Sequence, residues 1–315
     1  MGAATIRDYT HAVMFHHFHD ERHPAGQGAL SAEQFSSMID WLSDRYSLLD
    51  ADEYLYRMKT RTTGSRDICL TFDDALLCQS DIAIPILKAR GLQAFFFVYS
   101  SPFMGDPDYL EIYRYFRTSE FTSVDDFYRE FSAHVRKLIG NEYERAESDY
   151  DEPEYLKAYP FYTHNDKWFR YLRDHTLGKE RYEEVMRMLM RSHSFEPKSV
   201  LAKLWMNNQS LRDIQSEGHL LGLHSYSHPT MLHLLDYASQ ETEYRRNYEH
   251  LREVLKVAPC SMSHPCGNYT DATLQILNSQ NIEIGFRSST SVTDVKSSLE
   301  IPREDHANIL KEMAE

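Results

Sequence analysis

Ile68-Cys-Leu-Thr-Phe-Asp-Asp74 reads as a buried strand that ends on two adjacent carboxylates. Side by side, such groups repel unless a cation or a shared proton relieves them. A strand end facing a pocket is where parallel α/β folds keep their chemistry. Working outward, Ile82, Ile86 and Leu87 mark the apolar side of a helix that stops near Gly91. Gln93-Ala-Phe-Phe-Phe-Val98 follows as a second, fully apolar run. Two apolar strands joined by one helix form a βαβ unit, with parallel strands and a right-handed crossover. Alone, the Asp-Asp pair is weak evidence of chemistry, because such pairs are common in turns and caps.

The same grammar recurs on both sides. His11-Ala-Val-Met-Phe-His16 reads as a buried strand. Ser31-Ala-Glu-Gln34 has the form of a capping box that opens a helix through Phe35, Met38, Ile39 and Leu42. Further on, a helix from Leu201 to Ser216 ends at Gly218, and His219-Leu-Leu-Gly-Leu-His224 is the next strand. An amphipathic helix over Tyr237 to Leu255, a strand over Ala258 to His264, a helix over Ala272 to Asn278 and a strand over Ile282 to Phe286 continue the alternation. Between the two blocks, from about Gly105 to Pro197, the chain is rich in Tyr, Glu and Arg. There Val124, Phe127, Phe131, Val135 and Leu138 fall at helical spacing. The expected architecture is a single domain over 1–315, a parallel (β/α) barrel carrying a helical insertion at about 105–197. A packing brace explains that insertion at least as well as a substrate-reading role.

Composition bounds the rest. In 315 residues, 42% hydrophobic and 26% charged, there is enough apolar surface for a sizeable core. The 48 acidic against 34 basic side chains give a formal charge of −14, which repels phosphate backbones and anionic bilayers, so neither nucleic acid nor membrane insertion is expected. The opening apolar run is short and interrupted by His, unlike a signal-peptide core, and a cytoplasmic enzyme is the expectation. Cys69, Cys78, Cys260 and Cys266 form no Cys-x-x-Cys pair and are expected as reduced thiols.

A second constellation gives the carboxylates company. His224-Ser-Tyr-Ser-His228 also follows an apolar strand directly, and sets two imidazoles four residues apart. In a chain with 16 His, either one alone is read as a satisfied core or loop residue. Together with Asp73-Asp74 they form a metal-ligand pattern, because two neutral imidazoles and one carboxylate leave positions open for water and substrate.

On these motifs the chain resembles the polysaccharide deacetylases, also called the NodB-homology or carbohydrate esterase family 4 proteins. The resemblance runs from about Ala12 to Phe103 and from about Leu201 to Asn308. It implies a distorted barrel of fewer than eight strands, with Asp73 as catalytic base and Asp74, His224 and His228 as ligands of one divalent metal. Zinc is the default, with Mn, Co, Ni or Fe as alternatives. The opening Met14-Phe-His-His-Phe18 is similar to the family's first strand, which makes His16 and His17 candidate pocket residues. The third motif departs from the family's Arg-x-Pro-aromatic-Gly: here Ser263-His-Pro-Cys-Gly-Asn-Tyr269 puts Ser263 at the Arg position and Cys266 at the aromatic one. Arg303 is the candidate to orient Asp73 in that arginine's place, since a guanidinium can hold a carboxylate in a fixed plane. His264 and His306 compete as general acid. Cys266 is read as a pocket-wall residue rather than a nucleophile, and Tyr269 as a substrate contact.

The function this implies is hydrolysis of an N-acyl, expected acetyl, group from an amino sugar, with a nucleotide- or lipid-linked precursor of a surface glycan as substrate. Two other readings use the same residues: hydrolysis of a non-sugar, cyclic amide, and a catalytically silent carbohydrate-binding protein. Oligomeric state is not legible in the sequence.

Overall fold

The computed structural model describes residues 7–106, 109–155 and 163–315. The parts of the expected insertion at 107–108 and 156–162 lie outside the described residues. The chain folds into two compact units, residues 1–108 with 201–315, and residues 109–200.

The first unit is built on strands β1 (Ala12–Phe15), β4 (Leu70–Phe72), β5 (Phe95–Val98), β6 (Leu220–Leu223), β7 (Ser261–Ser263), β8 (Ile284–Phe286) and β9 (Arg303–Asp305). A short accessory pair, β2 (Ser47–Leu48) and β3 (Asp67–Ile68), stands apart. The seven strands run parallel in the order β8-β7-β6-β5-β4-β1-β9. The ring is drawn together by the segment entering β9. Ile301 bridges Phe286 in parallel, with Ile301 N donating to Gly285 O at 2.9 Å and Arg287 N to Ile301 O at 2.8 Å. Two residues later Arg303 pairs with Ala12 of β1. Seven parallel strands thus make a nearly closed barrel with flanking helices, the expected (β/α) barrel of the deacetylase type with fewer than eight strands.

Around it run α1 (Ala32–Ser43), α2 (Ala51–Thr60), α3 (Ile84–Arg90), and, after the second unit, α9 (Leu201–Leu204), α10 (Asn208–Ser216), α11 (Tyr237–Leu255), α12 (Asp271–Ser279) and α13 (His306–Ala314). The capping box at Ser31 is formed, with Ser31 Oγ accepting from Gln34 N and Gln34 Oε1 from Ser31 N. Phe35, Met38, Ile39 and Leu42 are the buried side of the helix it opens. The barrel interior is tight enough to require a glycine. A Cβ on Gly222 would meet Ser261 Oγ at 2.4 Å and the Ser261 carbonyl at 2.5 Å.

The second unit packs α4 (Tyr109–Ser119), α5 (Val124–Ile139), α6 (Asn141–Asp149), α7 (His164–Tyr171) and α8 (Gly178–Ser192). Its core joins Phe127, Phe131 and Val135 of α5 to Phe169 of α7 and Val185 of α8, all buried. The helical spacing read at Phe127, Phe131 and Val135 is therefore core spacing, while Val124 is exposed.

Two buried imidazoles away from the metal-ligand motifs contribute to the acid sensitivity of the fold. Burial lowers both His11 and His250 to about 4. His11 Nδ1 donates to Tyr9 O at 2.8 Å, and His250 is bracketed by Ser100 Oγ and Asn208 Oδ1. Because their folded pKa lies below the unfolded value near 6.5, the unfolded chain binds more protons between those values, and the stability they contribute is lost as pH falls through that window. We expect metal-depleted protein to lose on the order of 2 kcal/mol per ring between pH 6.5 and 4. In urea unfolding across that range, the His250→Gln variant should show a shallower slope than wild type. An identical slope would contradict the assignment.

Candidate metal centre and active site

The site begins where β4 stops. Asp73 N donates to Phe15 O at 3.1 Å, extending the β1 pairing by one residue. Asp74 and Ala75 then adopt left-handed backbone, φ 79° and 51°. Gln79 braces this turn, its Nε2 donating to Asp73 O at 2.6 Å and His16 O at 2.8 Å. Ser225 and His228 in the second motif and Cys266 in the third are also left-handed, at 62°, 53° and 52°. For residues other than glycine this conformation costs on the order of 1–3 kcal/mol each, and such residues concentrate at functional sites.

Asp73 is 2% exposed and gripped from across the barrel. Arg303 Nη1 donates to Oδ1 and Nη2 to Oδ2, both at 2.7 Å. The same guanidinium donates to Ser263 Oγ at 2.7 Å and Thr71 Oγ1 at 3.2 Å. Burial alone would raise the Asp73 pKa, but the Arg303 charge outweighs it and holds the carboxyl well below the usual carboxylate range. Ser263, at the position where the family has Arg, is the short residue that leaves room for this incoming arginine, and its hydroxyl lies 3.3 Å from Asp73 Oδ2. Sequence reasoning missed that role, although the substitution was visible. His16 Nε2 stands 3.6 Å from Asp73 Oδ2, and burial lowers its pKa.

Beside this pair, Asp74, His224 and His228 bring one carboxylate oxygen and two imidazole nitrogens within 4.8 Å of one another. His224 Nε2 is 3.5 Å, and His228 Nε2 3.7 Å, from Asp74 Oδ1. His224 Nδ1 donates to Ser263 O at 2.8 Å, which fixes the tautomer and turns the Nε2 lone pair to the cluster. Burial lowers His224 to about 3, so it is neutral at working pH. A fixed neutral imidazole, a second imidazole and a carboxylate, converging with open directions left over, fit a divalent cation.

The loop between the two histidines is held by residues that carry no sequence signal. Glu243 of α11 accepts from Tyr226 N at 3.0 Å, Ser227 N at 2.8 Å and Ser227 Oγ at 2.8 Å. Asn247, one turn on, accepts from His224 N at 2.9 Å. Glu243→Gln keeps the shape but turns one acceptor into a donor, so we expect a 10- to 100-fold loss of metal affinity, roughly that of outer partners of metal ligands, in an unchanged fold. Competition against a chromogenic chelator reads it, and unaltered affinity would reduce Glu243 to a surface cap.

The other sequence candidates lie elsewhere. His264 is fully buried, with Nε2 2.9 Å from Leu299 O and its ring stacked on Tyr269 at 4.2 Å. Ser263 faces the barrel interior, so alternation along β7 sends its neighbour His264 to the opposite face. His306, the first residue of α13, stacks on Phe15, and its nitrogens face the Met14 and Gly28 carbonyls at 3.3 and 2.8 Å. Among the described residues neither ring contacts Asp73 or Asp74, whereas His16 does contact Asp73. His17 stacks on His16 with centroids 6.2 Å apart. Cys266 is exposed. Tyr269 braces the third motif, its hydroxyl donating to Glu300 Oε1 at 2.9 Å and accepting from Arg287 Nε at 3.0 Å.

Comparisons with known proteins bear on the fold. The family model described as polysaccharide deacetylase matches residues 176–285, which span the His224–His228 and Ser263 motifs. The fold is similar to that of Streptococcus pyogenes deacetylase PplD in complex with acetate, at 14% identity and TM-score 0.55 over 98% of this chain and 99% of that one. It is similar to IcaB from Ammonifex degensii, at 15% identity and TM-score 0.56 over 98% and 96%. The BpsB deacetylase domain from Bordetella bronchiseptica gives 13% identity and TM-score 0.52 over 96% and 97%. No curated protein matches the chain.

Proposed function

We propose that the chain is a polysaccharide deacetylase, a reading supported by the family match over residues 176–285 and by the shared fold, and that it removes an N-acetyl group from an amino sugar in a precursor of a surface glycan, using one divalent metal ion, zinc by default. The observation that carries this reading is the juxtaposition of an arginine-held carboxylate, Asp73, with the Asp74, His224 and His228 cluster.

Asp74, His224 and His228 would hold the cation, which when bound would supply Lewis acidity to the hydrolysis. The chain supplies the rest. Asp73, held by Arg303 on both oxygens and by the Ser263 hydroxyl on Oδ2, accepts the water proton as the water oxygen bonds to the amide carbon. His16, beside Oδ2, is the imidazole placed to pass that proton to the amine nitrogen as the carbon–nitrogen bond breaks. One water is consumed, and acetate and a free amine leave. His16 thus takes the general-acid role for which the sequence offered His264 and His306.

The cytoplasm is the compartment we propose, supported by Cys69 and Cys260, which stand as thiols, the state a reducing environment maintains. No helix among the described residues is long and apolar enough to cross a membrane. A nucleotide- or lipid-linked amino sugar suits that compartment. The test is free-amine release from a panel of N-acetylated sugars, free, nucleotide-linked and oligomeric, by metal-loaded protein. Release from one class names the substrate, and no release from any of them rejects the reading.

A further inference from the structure

The helical unit holds a cavity of about 350 Å³ whose lining comes entirely from residues 109–197 and includes none of the metal-site residues. That volume falls at the low end of ligand pockets, about 300–1,000 Å³. Its floor is apolar: Met190 and the Tyr113 ring are buried, at 2% and 4% exposure. Tyr109, one turn before Tyr113 on α4, is 46% exposed and stands with its ring centroid 5.9 Å from that of Tyr113. An aromatic face is thereby presented at the mouth.

The polar lining comes mainly from α8. Glu183, Arg187 and Arg191 lie four residues apart on one side of the helix, and Glu196 follows. Glu183 and Arg187 have the spacing of a helical ion pair, yet among the described residues neither side chain makes a hydrogen bond or ion pair, and neither does Arg191. Elsewhere in this unit such groups do find partners: Arg181 pairs with Glu142 at 2.9 Å and His193 with Glu130 at 2.8 Å. Donors and acceptors thus line an aromatic-floored cavity without neutralising one another.

We propose that this cavity is a saccharide-binding site separate from the metal centre, taking a neutral hexose or N-acetylhexosamine unit of a glycan chain. The apolar face of a pyranose ring lies on Tyr109, and its hydroxyls meet carboxylate acceptors and guanidinium donors together. Two carboxylates beside two guanidiniums leave the rim without net charge, which disfavours a phosphate or other anion. The choice of a glycan rests on the deacetylase reading, whereas the existence of a polar ligand site rests on the cavity alone.

The test is calorimetric titration of the full chain with a tetramer of N-acetylglucosamine, using the Asp74→Ala variant so that binding at the metal centre is suppressed. Binding should persist in Asp74→Ala and weaken about tenfold or more when Tyr109→Ala or Arg187→Ala is added, an effect that removal of an aromatic platform or a paired donor can produce. Both are exposed positions, and thermal melting confirms that the variants fold. With the metal-loaded enzyme, both substitutions on the wild-type background should leave amine release from a single N-acetylated sugar unchanged. Undiminished tetramer binding in both double variants overturns the proposal, as does a nucleoside diphosphate that displaces the tetramer from the cavity. Amine release without this second binding rejects the cavity site and leaves the deacetylase reading standing. Binding without amine release does the reverse.

Discussion

Asp73→Asn is expected to lower deacetylation by about 10²- to 10⁴-fold, the range for loss of a general base, while metal content stays near wild type because Asp74, His224 and His228 remain. The substitution keeps the size of the side chain and removes its charge. Arg303, 0% exposed, then faces an amide that can accept only one of its two hydrogen bonds. A buried charge stripped of its partner costs on the order of 3–5 kcal/mol, so the variant should also unfold at markedly lower denaturant concentration. Single-turnover rates, metal analysis and urea unfolding on the same preparation separate the effects. A variant that loses stability but keeps its rate would make the Asp73–Arg303 pair a structural strut and place the base elsewhere.

Asp74→Ala and His228→Ala are expected to reduce metal affinity by more than the 10- to 100-fold that outer partners are worth, and to abolish turnover at any metal concentration that saturates wild type. Each removes one of three converging donors. Treatment of wild type with a chelator should give the same loss of activity, reversed by adding back a divalent ion. Elemental analysis after gel filtration is the direct reading. Stoichiometric metal retained by both variants would refute the ligand set. Metal lost from both variants with activity retained would separate the cation from the chemistry.

The legible part of the fold is the part where burial and regularity coincide. Leu70 to Phe72, Phe95 to Val98 and Leu220 to Leu223 are strands within apolar runs whose side chains are buried on both faces, as a sheet covered on both sides requires. The motifs at their ends were readable for the same reason. β9 carries no such signal. Arg303-Glu-Asp305 is a charged triplet, made tolerable by Asp73 on the inner side and by Arg7 on the other, where Arg7 Nε lies 2.7 Å from Glu304 Oε2. Only the Arg lost from the third motif pointed to Arg303. The inward–outward alternation that separates Ser263 from His264 is a rule of strands, but applying it needs to be anchored by one residue of known direction. Glu243 lies among the charges of an amphipathic helix, and nothing local distinguishes it from a solvated surface residue. Its contact with the Tyr226–Ser227 loop depends on where α11 lies.

The partner of Asp73 is 230 residues further along the chain. Translation proceeds at about 5–20 residues per second, so the ribosome needs roughly 10–50 s after making the carboxylate before it makes the guanidinium. Throughout that interval the Asp73 carboxylate has no counter-charge to justify its burial, and the ring of strands lacks the one that joins its two edges. Asp74, His224 and His228 all precede Arg303 in the chain, but the grip on Asp73 is complete only when β9 has taken its place beside β1.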